Sequence, residues 1–136
     1  MIEMELSKIV IDEKRHDQLI VLKEKDGERV LPIVIGLVEA SAIKLKLSGF
    51  QPPRPLTHDL LHSTIGDLGA KIERIVINKL EENTFHAKMV LKTAAGEEKV
   101  IDARPSDSIA LAVRARAPIF VEDSIIKKSA IFNQDK

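Results

Sequence analysis

The stretch Ile101-Asp102-Ala103-Arg104-Pro105-Ser106-Asp107-Ser108-Ile109-Ala110-Leu111-Ala112 constrains this chain more than any other. It reads as the end of a strand, a short charged turn and the first turns of a helix. Pro105 pushes Arg104 toward extended backbone, and Ser106 is placed to cap the helix that follows. Asp102, Arg104 and Asp107 are thereby concentrated at a strand-to-helix junction, where backbone N–H groups without helical partners point outward. Within the strand, Ile101 and Ala103 share one face and Asp102 and Arg104 the other.

The remaining elements are placed around that junction. Strands are expected from about Glu3 to Ile11, at 19–22 and at 30–35, with Asp26-Gly27 as the hairpin turn between the last two. Pro32 lacks a donor and so belongs at a sheet edge or a bulge. Leu37, Ala40, Ile43 and Leu47 recur at helical spacing, with Gly49 just past the helix end. A stiff connector, Phe50-Gln51-Pro52-Pro53-Arg54-Pro55, follows. Thr57 reads as the N-cap of a second helix whose apolar stripe is Leu61, Ile65 and Leu68. Strands at 72–80 and around Phe85, Ala87, Met89 and Leu91 lead through Ala94-Ala95-Gly96 into 99–103. A third helix spans about 107–115, a short strand 119–121, and a last helix holds Ile125, Ile126 and Ala130. Antiparallel strands interrupted by helices specify an α+β fold: one compact domain over 1–136, a mostly antiparallel or mixed sheet, and three to four helices.

Composition narrows the function. Twenty-one basic residues balance twenty-one acidic ones, so a nucleic-acid partner would have to be held by a local patch. Aromatic residues make up 3%, four Phe with no Trp or Tyr, which argues against base-stacking platforms. The chain has no cysteine, hence neither disulfides nor thiolate metal sites. No apolar run approaches the ~20 residues that span a bilayer, and the acidic Met1–Glu5 segment does not read as a signal peptide. A cytoplasmic location is expected. No phosphate loop, nucleophile elbow or dinucleotide fingerprint is present, and no organic cofactor is indicated.

Several side chains can carry chemistry, each with a plainer structural alternative. His58 and His62 have metal-ligand spacing on one helix, but no zinc-protease glutamate accompanies them. Asp59 and Asp107 sit in first helical turns, where a carboxylate also serves the dipole. Arg104 can be a salt-bridge partner of Asp102, and Arg114 with Arg116 a solvated basic patch.

Taken together, Leu31–Gly36 followed by Glu39-Ala40, Arg54-Pro55-Leu56-Thr57-His58-Asp59-Leu60, residues 101–112 and Ala117–Val121 resemble the bifunctional nuclease family, in order and over nearly the whole chain. The resemblance implies a nuclease active on DNA and RNA and a homo-oligomer, with a dimer favoured. It also points to Glu39, Arg54, His58, Asp59, Asp102, Arg104, Ser106 and Asp107 as the site. On that basis Glu39, Asp102 and Asp107 are expected to hold a Mg²⁺ or Mn²⁺ ion. His58 and Asp59 join Asp102, Arg104 and Asp107 as the catalytic set, while Arg54, Arg104 and Ser106 bind substrate. The alternative is a non-catalytic module that binds an anion or a protein at the same turn.

Overall fold

Period-two alternation decides which face of a strand is covered, most cleanly over residues 30–36, where Leu31, Ile33 and Ile35 are buried. The computed structural model describes residues 1–12, 14 and 17–129; Ala130, expected in the last helix, lies outside them. The order is β1 (Ile2–Val10), β2 (Asp17–Glu24), β3 (Val30–Gly36), α1 (Leu37–Leu47), α2 (Thr57–Asp67), β4 (Ala70–Glu81), β5 (Thr84–Thr93), β6 (Glu98–Ala103), α3 (Pro105–Ala115), β7 (Ile119–Val121) and α4 (Asp123–Ser129). The seven strands form one mixed sheet in the order β3-β2-β1-β7-β4-β5-β6. This is the expected α+β architecture.

Two antiparallel meanders, β1-β2-β3 and β4-β5-β6, are joined by the three residues of β7. That strand runs antiparallel to β1, with Met4 opposite Ile119, and parallel to β4, with Ile77 opposite Val121. Inward-facing Met4, Ile20, Leu31, Ile33, Ile75, Ile77, Ala87 and Met89 meet Ile43, Ile65, Ile109 and Leu111 from the helices in one aliphatic core. Each such large side chain contributes on the order of 2 kcal/mol through burial. Helix α3 packs on β4 and β5 and touches both α1 and α2. Its Ala110 and Ala112 are buried, and their small size lets the neighbours approach.

Turn chemistry mostly matches the sequence. Pro32 lies on edge strand β3, and Gly49, Gly69 and Gly96 adopt the positive φ that their turns require. The β4–β5 turn had no glycine to announce it; Glu82 and Asn83 both take positive φ there, as a tight hairpin turn demands.

The helix caps differ from expectation. Leu56, not Thr57, is the N-cap of α2, and its amide donates to Asp59 Oδ2 at 3.0 Å. Arg104 is the N-cap of α3 with Pro105 at the first helical position, so Ser106 lies inside the helix and is buried. Proline is favoured at that position because its missing N–H has no helical acceptor to lose. In α2 only Ile65 of the proposed stripe is buried; Leu68 is 81% exposed and Leu61 is also exposed. Leu47 of α1 is exposed as well.

Candidate active site

Three helix N-termini converge above the β5–β6 end of the sheet, and each supplies a charged or titratable side chain in its first turn. Glu39 is the third residue of α1, His58 the second of α2 and Asp107 the third of α3; Arg104 caps α3. His58 Nε2 lies 2.9 Å from Asp107 Oδ1. Arg104 Nε donates to Asp107 Oδ2 at 2.9 Å, and its Nη2 to Glu39 Oε2 at 3.3 Å. The result is a linked row, Glu39–Arg104–Asp107–His58, drawn from three helix starts that are far apart in sequence.

The protonation of this row follows from its contacts. Burial works to raise the Asp107 pKa, but the hydrogen bonds from Arg104 and His58 prevail and hold the carboxyl below its usual range. The same Asp107 hydrogen bond, with its charge and that of Glu39, raises Arg104 despite a small opposing burial effect. A charged Asp107 can only accept, so Nε2 of a neutral His58 carries the proton and Nδ1 is left as the ring's acceptor. His58 is buried, whereas Arg104 is largely exposed at the mouth.

This row forms the charged corner of a cleft of about 610 Å³. The other walls are apolar: Val38, Ala42, Leu45, Leu56, Leu61, Met89, Ile101 and Leu111. The exposure of Leu61 and Ile101 is thereby explained, since both line this open space. Glu39 lies over its own helix's N-cap, Gly36. A Cβ on Gly36 would collide with Glu39 Oε1, so the carboxylate folds back over the bare glycine.

The other expected site residues are placed elsewhere. Asp102 reaches the rim of the cleft but is 75% exposed, and its carboxylate pairs with Lys88 Nζ on neighbouring β5 at 3.5 Å. Strand register accounts for this, since Lys88 and Asp102 lie directly opposite each other on β5 and β6. Glu39, Asp102 and Asp107 are therefore not gathered as a metal triad, and among the described residues no three His, Cys, Asp or Glu side chains are. The expected ligand set does not fit a three-carboxylate ion site.

Asp59 faces away from His58 and accepts from Arg114 Nε at 2.7 Å. Arg114 is no solvated patch. Its side chain is 3% exposed, and it also donates to Ala110 O and Ala42 O, tying together α1, α2 and α3. Arg54 lines a second, smaller cavity with Asp59 and Arg114. Ser106 lines a third depression on the far side of Arg104. Among the described residues, His62 makes no hydrogen bond or ion pair with His58.

A charged row at one corner of an apolar cleft, built on an α+β sheet, is the feature that defines this domain's candidate site. The chain belongs to the bifunctional nuclease domain family, whose profile matches residues 20–134. It is 37% identical over 134 residues to an uncharacterized protein of Mycobacterium tuberculosis, covering 98% of this chain and 79% of that one. It is also similar to Bifunctional nuclease 2 of Oryza sativa subsp. japonica, at 28% identity over 89% of this chain and 38% of that protein. Bifunctional nuclease 1 of Arabidopsis thaliana is 27% identical over 75% of this chain and 32% of its own length. No described helix is long and apolar enough to cross a membrane.

Proposed function

We propose that the cleft hydrolyses phosphodiester bonds in DNA and RNA, with His58 as general base and Asp107 as the group that orients it. The observation that supports this most is the 2.9 Å His58–Asp107 contact at the edge of an open cleft. It joins a base to its orienting acid. In the proposed step a water oxygen bonds to phosphorus while its proton passes to His58 Nδ1. The ester P–O bond breaks, the departing oxygen takes a proton from solvent water, and His58 then releases its own proton to solvent. Arg104 stabilises the charge that builds on the phosphoryl oxygens; among the described residues its Nη1 has no recorded partner. Neither α1 nor α3 is capped by a side chain, so their positive dipole ends also favour an anion in this corner. The described carboxylates supply no three-ligand set for Mg²⁺ or Mn²⁺, so an ion would have to arrive with the phosphate. Exposed Val34 and Val100 on the two edge strands support a homodimer as part of this reading; light scattering in solution tests it.

The apolar walls of the cleft favour a second reading, a binding module without turnover. One experiment separates the two. Purified chain is incubated with supercoiled plasmid and single-stranded RNA in Mg²⁺, Mn²⁺ or EDTA, beside identically prepared His58→Ala and Asp107→Asn. Cleavage reduced at least about 100-fold by either substitution, with unchanged melting, supports hydrolysis at this row. Equal cleavage by all three proteins overturns it, and binding without cleavage supports the module.

A further inference from the structure

We propose that the small cavity formed by Phe50, Lys46 and Arg54 is a subsite for one unpaired nucleotide, and that it selects single strands over duplex. This rests on the reading of the adjoining cleft as the site where nucleic acid is engaged. Leu45 and Leu56 line both spaces, so a strand in the cleft is led directly into the smaller one.

Phe50 is 51% exposed although it is a large aromatic side chain in an aromatic-poor protein. Its backbone is nonetheless fixed. Gly49 takes φ +80°, its N–H bonds to Lys46 O at 3.2 Å, and the Phe50 N–H bonds to Leu45 O at 3.3 Å. That pair of hydrogen bonds is the Schellman closure of α1. The ring is thus mounted at the end of a helix, where no ordering cost falls on its backbone when a base stacks there.

Charge is arranged around it. Lys46 and Arg54 line the cavity, both exposed, and among the described residues neither is in an ion pair. Arg114 pairs with Asp59, whose carboxyl the Lys46 charge also helps keep ionised, so the cavity carries one carboxylate against three cations. The exposed cations are therefore available for a phosphate. Arg54 lies between Pro53 and Pro55, whose fixed φ angles stiffen the segment that presents it. An aromatic face beside unpaired cations is the chemistry of single-strand capture, in which the base stacks and the backbone phosphate is neutralised. The cavity measures about 240 Å³, space for a splayed base.

The test is fluorescence polarisation with short fluorescein-labelled oligonucleotides, single-stranded and duplex, in a His58→Ala background so that nothing is cleaved during the reading. Phe50→Ala is expected to weaken single-strand binding about tenfold and leave duplex binding unchanged. Phe50→Tyr should restore the affinity, and Arg54→Ala should lower it and flatten its salt dependence. Melting curves matching the parent establish that the exposed substitutions fold. Unchanged single-strand affinity in Phe50→Ala, a parent that binds no single strand, or equal losses for single strand and duplex would each overturn the subsite. Lost affinity in Phe50→Ala with no cleavage by the unsubstituted chain upholds the subsite and removes the hydrolytic reading. Cleavage with affinity unaffected by Phe50→Ala does the reverse.

Discussion

Asp59 and Asp107 occupy the same position in successive helices, three residues past the N-cap, yet they do different work. Asp59 closes its own helix end and meets a buried guanidinium; Asp107 meets a histidine in an open cleft. Substituting Asp59 by Ala leaves Arg114 buried without its carboxylate and is expected to cost about 2 kcal/mol, read from urea unfolding by circular dichroism. Activity per folded molecule should survive. Asp107→Asn should do the opposite, removing activity with little change in melting. The pH dependence has a definite sign. Burial opposes ionisation of Asp59, but the bonds from Arg114 and from the Leu56 amide lower its pKa overall, and Asp107 is lowered too. A carboxyl depressed in the folded state stabilises above its unfolded value, near about 4, and loses that contribution as pH falls through the folded one. Unfolding midpoints should therefore drop below about pH 4, and Asp59→Asn should flatten that acid limb.

At the level of elements, α1 and α3 are coupled through Gly36, Glu39 and Arg104. Gly36→Ala would expel the Glu39 carboxylate from its resting place and release one of the two anchors on Arg104. Its kinetic defect should match that of Glu39→Gln, and the double substitution should add little, as steady-state measurements of all three variants would show. Helix and strand periodicity brought most of this architecture within reach of the sequence, whereas Glu39, His58, Arg104 and Asp107 were gathered into one site only by the family resemblance. The unread part concerns partners across elements. That Arg114 is buried depends on the small alanines of α3 admitting α1 and α2, and nothing local to Arg114 announces it. Nothing local set Asp102 apart, since alternation puts it on the same face as Arg104; its Lys88 partner lies on the neighbouring strand. The caps slipped by one or two residues, since Thr57 and Ser106 are good capping types beside backbones that start the helix earlier. An aromatic-poor composition argues against an extended stacking platform and says nothing about a single exposed ring such as Phe50.

For the molecule as a whole, the sheet is two meanders with one short strand between them, and both bury their inner faces in the same core. Ile77 is fully buried at the junction. Ile77→Ala is expected to cost about 3 kcal/mol. It should lower hydrogen-exchange protection in both meanders together, whereas protection lost from β4-β5-β6 alone would mean that the halves open separately. The placement of β7 near the end of the described chain also bears on how the protein is made. During synthesis β1 and β4 emerge early, with the edges that β7 will later occupy still bare. Such edges recruit other strands, so the nascent chain passes through an adhesive interval that ends only when residues 119–121 leave the ribosome.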